Sequence, residues 1–307
     1  MEFNAETINE LFVQKLGTKD GLDKVAMQGS AFIRQKLREV SFARKIINPV
    51  YVTQADCQRS VNHDGLVKIV DIEPDSNAAI INFRGKPDTS YVAGERFEIP
   101  FYGVSSDDFQ KTEEELLAYE MPLTEVIEKN SVKDIQAVED KSFLDTIDSL
   151  VGNKGSAQHL DAGAGSLGAD GSIAKSSFTD LFNVLDGNQL KADTILMGSE
   201  MYNRLLLWPA SNAGDSYGTE VTINGYTYST LFGRKLIVSN KSDIISDLEM
   251  YAFAAQEYLG KFFILNDTKF WVKKDKNIIT WAAYETIGMG IGNSKACAKI
   301  SDFEVAS

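Results

Sequence analysis

The final third of the chain alternates short β-branched and aromatic runs with turn residues, a pattern that leaves few folds open. It predicts strands at Thr194–Met197, Lys235–Ser239, Met250–Gln256, Leu259–Leu265, Lys269–Lys273, Ile278–Ile291 and Ala296–Ile300. Such residues fit a pleated, half-buried surface. The long strand ends in Gly288-Met289-Gly290-Ile291-Gly292. Glycines in a strand context relieve crowding or form a bulge.

Upstream the pattern changes twice. Leu123–Val151 has no internal Gly or Pro, and Pro122 suits the first turn of a helix. At about 1.5 Å per residue this helix extends over roughly 40 Å. Its apolar stripe runs through Leu123, Ile127, Ile135 and Val138, then turns to Phe143, Ile147 and Leu150. A rotating stripe predicts a bend or a change of packing partner. Before it, Asp107, Asp108, Glu113, Glu114, Glu115 and Glu120 form an acidic segment.

Val50 to Tyr102 reads as β, with strands at Leu66–Glu73, Ala78–Arg84 and Glu95–Phe101 separated by turn signals. This excursion has too little local sequence to bury its own apolar positions, which suits an arm in an assembly. At the N-terminus, residues 5–16 and 22–46 have helical spacing. The second carries Phe32, Ile33, Leu37 and Val40 on one face and Arg34, Lys36, Arg38, Arg44 and Lys45 on the other. Asn48-Pro49 ends it, because the residue before proline is pushed out of the α region.

Gly152–Ser172 is rich in Gly, Ala and Ser and has the composition of a linker. A helix is expected over Ser176–Leu185, capped by Ser176 or Ser177, and another from a Ser199 cap to Trp208, stopped by Pro209. Residues 210–232 read as a polar loop carrying Tyr217, Tyr226, Tyr228 and Phe232.

Net charge is −13 over 307 residues, with 31 Lys and Arg against 44 Asp and Glu. That balance argues against a chain whose main task is gripping phosphates, although a container that releases its nucleic acid is compatible with it. No apolar run approaches the roughly 20 residues that span a bilayer, so no membrane partner is expected. The start, Met1-Glu2-Phe3-Asn4-Ala5-Glu6, lacks the basic and apolar stretches of a secretory signal, which places synthesis in a reducing cytoplasm. Cys57 and Cys297 make no metal spacing and are expected to be reduced thiols.

Motifs for chemistry are absent. The Gly-rich stretch lacks the order of a nucleotide loop. His63 and His159 each lie near an aspartate, but no nucleophile motif accompanies them. Asp243–Asp247 lacks the alternating oxygen ligands of a calcium loop. No catalytic residue, cofactor or metal is expected. The most informative pairing is long range: the basic stretch Arg34, Arg38, Arg44 and Lys45 is opposite in sign to Glu113, Glu114 and Glu115. Complementarity between copies is one reading. Two separate solvated faces, or a basic helix turned toward DNA, are the others.

In order, these elements resemble the major capsid protein family of tailed bacteriophages over most of the chain. The segment Ala192-Asp193-Thr194-Ile195-Leu196-Met197-Gly198-Ser199-Glu200-Met201-Tyr202 is similar to the family's strand-then-helix, and Leu231-Phe232-Gly233-Arg234-Lys235-Leu236-Ile237-Val238-Ser239 to its following strand. The resemblance implies an α+β capsid fold divided into an N-terminal arm (1–49), an extended β-loop (50–102), a peripheral domain with a spine helix (103–175 and 266–307) and an axial α/β domain (176–265). It implies self-assembly into hexamers and pentamers of an icosahedral virion shell that encloses double-stranded DNA, built in the host cytoplasm. Portal, scaffolding and decoration proteins are the implied partners. Tyr217, Tyr226 and Tyr228 would meet at capsomer centres. The family's built-in scaffold extension has no counterpart here, which implies a separate scaffold or a removed extension. Some members crosslink a loop lysine to an asparagine; Lys68, Lys86 and Asn293 lie in the matching regions, and no crosslink is expected. The alternatives are an encapsulin-like compartment shell and an enzyme with no recognisable motif.

Overall fold

The computed structural model describes residues 39–305, apart from 62–63, 75–77, 79, 87–88, 90, 92–93, 119–121 and 209–229. The expected helix over 5–16, most of that over 22–46, His63, Pro209 and nearly all of the 210–232 loop lie outside these residues.

The described chain begins with a helical turn, α1 (Ala43–Ile46), and two short strands, β1 (Val50–Tyr51) and β2 (Gln58–Arg59). A hairpin of β3 (Leu66–Ile72) and β4 (Glu95–Pro100) follows, then β5 (Tyr102–Ser105), β6 (Phe109–Thr112) and the short helix α2 (Glu113–Leu117). Thr112 caps α2 and Glu115 returns the bond, a reciprocal capping box. The long helix α3 spans Leu123–Val151, ended by Gly152 in a left-handed conformation at φ 80°.

The second half alternates strand and helix. It comprises β7 (His159–Leu167), α4 (Lys175–Gly187), β8 (Ala192–Gly198), α5 (Ser199–Leu205), β9 (Thr230–Leu231) and β10 (Arg234–Ser239). Then come β11 (Met250–Ala254), α6 (Gln256–Leu259), β12 (Gly260–Asp275), β13 (Ile278–Ile291) and β14 (Cys297–Val305).

Three sheets organise these elements. One runs β1-β12-β13-β5, with β6 beside β5 on the same edge of β13. A six-stranded sheet has the order β7-β14-β11-β8-β10-β9, and the hairpin sheet has the order β2-β3-β4. β8 and β10 are parallel, as are β7 and β14, while β12 and β13 are antiparallel. One core packs Ile135, Phe143 and Ile147 of α3 against Phe253, Phe262 and Ile287. A second seats Phe178, Leu181 and Leu185 of α4 on Ile195, Met197 and Ala252 of the six-stranded sheet.

The glycine run of β13 has a packing cause. A Cβ at Gly290 would lie 2.6 Å from Ile99 and 2.9 Å from Phe97, and one at Gly288 would lie 3.0 Å from the Phe101 ring. The glycines let the foot of the hairpin rest directly on β13.

Several sequence expectations need correction. Gly152–Ser172 is not a plain linker, because its middle forms β7, paired in parallel with β14 and interrupted by left-handed Gly163 and Gly165. Leu259–Leu265 and Lys269–Lys273 are one strand, bulged between Ile264 and Lys269. The described residues among 78–84 are not a strand; the partner of β3 is β4, with Ile72 opposite Glu95. Neither Ser176 nor Ser177 caps α4, whose N-cap is Ala174, and α5 stops at Leu205. Val138 is half exposed at 51%, and the buried stripe of α3 passes through Glu139 and Asp140 instead.

Candidate assembly surfaces

The fold clasps its own N-terminal segment through those two buried acids. Asp140 accepts hydrogen bonds from the Ser41 hydroxyl at 2.6 Å and from the backbone N–H groups of Phe42 and Ala43 at 3.2 and 2.9 Å. Lys241, after β10, pairs with the same carboxylate. One helical step away, Arg44 donates to Glu139 from Nε at 2.9 Å and from Nη2 at 2.6 Å. The same Nη2 reaches Glu285 of β13 at 2.5 Å. Thr268 of β12 donates to the other Glu285 oxygen at 2.8 Å.

Glu139, Asp140 and Glu285 are fully buried. Buried carboxylates persist only when paired and hydrogen-bonded. One guanidinium here faces two carboxylates. Burial pushes the Glu139 carboxyl up to about 7, with Glu285 adding to the rise and Arg44 opposing it. Burial would lower Arg44, but its bond to Glu139 and the charges of Glu139 and Glu285 hold it above the usual arginine range.

The expected interface residues divide by location. Arg34, Arg38, Tyr217, Tyr226 and Tyr228 lie outside the described residues. Arg44 turns inward to Glu139 and Glu285, whereas Lys45 is exposed. Glu113 pairs with Lys274 of β12, Glu115 closes the capping box and meets Lys111 at 3.8 Å, and Glu114 is exposed. The acids and the basic stretch are therefore not brought together among the described residues.

The hairpin leaves apolar side chains exposed. Beyond the β3–β4 ladder, Ile80, Phe83 and Tyr91 are fully exposed and Ile81 is half exposed. Large apolar side chains left in water on a projecting segment mark a contact surface.

Groups that could carry chemistry serve as structural ties. His159 meets the Gly152 carbonyl at 3.1 Å and the Ser301 hydroxyl at 3.0 Å, joining β7 to β14. Lys299 pairs with Asp148 and Glu249 at 3.0 Å each, and the Tyr251 hydroxyl donates to both acids. Burial, then those two charges, raise the Tyr251 phenol. A groove of about 460 Å³ between β7 and α4 brings no histidine or cysteine to Asp161 and Asp180. Among the described residues no three His, Cys, Asp or Glu side chains cluster as a metal site, and no helix is long and apolar enough to cross a membrane.

The buried acids of α3 were missed because carboxylates count as polar in a periodicity reading. The signal was present: Ser131, Ile135, Glu139, Phe143, Ile147 and Val151 recur every fourth residue.

No protein-family model matches the sequence. No curated protein matches it either. Solved structures do. The chain is similar to a structure from Microbacterium phage Oxtober96, with TM-score 0.62 and 12% identity over 92% of this chain and 98% of that one. It is similar to the capsid of a native GTA particle, with TM-score 0.62 and 15% identity over 95% and 99% of the two chains. The capsid of cyanophage P-SCSP1u matches with TM-score 0.63 and 10% identity over 94% and 98%. These likenesses extend over more than nine-tenths of the chain, and the chain has the tailed-phage capsid fold.

Proposed function

We propose that this protein is a major capsid subunit that assembles into the hexamers and pentamers of an icosahedral shell around double-stranded DNA. The observation that carries the reading is the two-sided match: more than nine-tenths of this chain covers nearly all of capsid chains. A fold alone does not dictate function. Here the exposed Ile80, Phe83 and Tyr91 add a physical reason, because a projecting apolar segment is a liability in an isolated subunit and a contact in a shell.

The reading makes the chain a structural protein of the virion, with itself as main partner and portal, scaffolding and decoration proteins as further ones. The division into arm, β-loop, peripheral and axial domains belongs to the same reading. So does the role of Lys45, Glu113, Glu114 and Glu115, with Arg34, Arg38, Tyr217, Tyr226 and Tyr228, in subunit contacts. In this scheme Arg44 holds the arm to its own subunit.

Negative-stain electron microscopy of the purified protein, alone and co-expressed with neighbouring reading frames, tests the proposal. Closed shells, tubes or capsomer rings are expected. A compact monomer at every concentration would overturn it, and a small-molecule ligand would then be sought.

A further inference from the structure

The sheet built on β12 and β13 has two edges of opposite sign. On one side, β1 pairs with β12 only at Phe263 and Ile264, so the edge of Asn266–Asp275 away from β13 has no partner strand among the described residues. That edge presents Lys269, Trp271 and Lys273, which alternate onto one face. Trp271 is 63% exposed, and neither lysine makes an ion pair among the described residues. On the other side lie β5 and β6, which pair only with β13. Between them come Asp107 and Asp108, both exposed and unpaired among the described residues, and then Phe109 at 38% exposure.

The two edges are in register. Lys269 lies opposite Tyr284, which lies opposite Ser105. Lys273 lies opposite Thr280, which lies opposite Gln110. The rows that end in two lysines on one edge therefore bracket two aspartates on the other. Moving a copy sideways by the width of the sheet lays the Asp107–Asp108 bend in the row of Trp271, between Lys269 and Lys273, with Phe109 one row further on, in line with Val272. An aromatic centre inside a charged rim is the usual anatomy of a specific contact. Different patches meeting head to tail generate rings when the rotation closes.

We propose that the Lys269–Trp271–Lys273 edge of one copy docks against the Asp107–Asp108–Phe109 edge of the next, a head-to-tail contact within a capsomer. This rests on the capsid reading and names a basic counterpart for part of the acidic segment other than the stretch Arg34–Lys45. Long unpaired edges are otherwise a hazard for uncontrolled pairing. Opposite charges give this one a single orientation, since like edges repel.

The test uses full-length protein in two forms, Lys269→Glu with Lys273→Glu, and Asp107→Lys with Asp108→Lys. All four side chains are exposed, and circular dichroism confirms the fold of each form. Alone, each is expected to assemble at least about tenfold more slowly by light scattering at low salt, since complementary charge acts mainly on association rate. Mixed in equal amounts, the two forms regain six-membered capsomers, because every contact in an alternating ring of six pairs opposite charges, whereas a ring of five keeps one like-charged contact. Damage to folding would not be repaired by mixing. Normal assembly of the lysine-edge variant alone, or no recovery on mixing, overturns the docking proposal while wild-type shells leave the capsid reading intact. Wild-type protein that never assembles overturns both.

Discussion

The guanidinium of Arg44 closes two hydrogen bonds on the carboxylate of Glu139, at 2.9 and 2.6 Å, across 95 residues of sequence. A bidentate bond to a buried acid fixes both position and angle, so the N-terminal segment is held by geometry as much as by charge.

Arg44→Ala leaves Glu139 and Glu285 buried without their shared cation. The expected loss is about 3–5 kcal/mol of unfolding free energy, the range for stripping one partner from a buried pair. Chemical denaturation measures it. Arg44→Lys should recover only part, because an ammonium cannot reproduce the planar fork. A loss near zero for Arg44→Ala would mean that the clasp carries little stability.

The Glu139 carboxyl sits above its unfolded value, at about 7, mainly through burial. The folded protein therefore holds a proton that the unfolded chain releases between the ordinary carboxylate range and neutrality. Stability from this group is full below the unfolded value and is lost as pH rises through about 7. Glu139→Gln keeps the neutral shape and removes the titration. The melting temperature of the wild type relative to this variant should fall between about pH 5 and pH 8. Parallel curves across that interval would contradict the assignment.

Gly290→Val places side-chain carbon where Ile99 and Phe97 already pack. The expected cost is about 1–3 kcal/mol, typical of overpacking, with the hairpin foot displaced from β13. Limited proteolysis should then cut between β3 and β4 sooner than in the wild type. Unchanged cleavage kinetics would show that the hairpin foot tolerates the added bulk.

The Trp208 indole donates to the Ile173 carbonyl at 2.6 Å and contacts the Phe178 ring at 5.9 Å between centroids. Trp208→Phe keeps an aromatic ring but orphans that carbonyl. A loss of about 1–2 kcal/mol is expected, read by thermal melting.

Cys57 is partly exposed and Cys297 is buried, its thiol pushed up to about 12 first by burial and then by Asp148. A thiol reagent at neutral pH should modify Cys57 in the native protein and reach Cys297 only after unfolding, since the thiolate is the reactive form. Mass spectrometry of the labelled protein decides between the sites.

Some of the architecture was legible in local chemistry. Both ends of α3 stood out because Pro122 opens it, Gly152 closes it and nothing between interrupts it. Strand β13 was equally plain, since its fourteen residues run from the polar turn at Lys276-Asn277 to the glycine run. The clasp was not legible. Its acids look like solvent-facing residues until Arg44 and Lys241 arrive from distant parts of the chain, and no local window holds both halves. β7 was hidden for a related reason: Asp161-Ala162-Gly163-Ala164-Gly165 has poor strand propensity and becomes a strand only beside β14.

Arg44 and Glu285 are 241 residues apart, and β1 finds its partner only in β12. A chain emerging from the ribosome can bond Ala43 and Arg44 to Asp140 and Glu139 once α3 is made, but must synthesise β12 and β13 before Arg44 reaches Glu285 and β1 has a strand to join. Contacts that span so much sequence form late. A truncated chain that stops short of β13 therefore leaves Arg44 with one buried carboxylate in place of two.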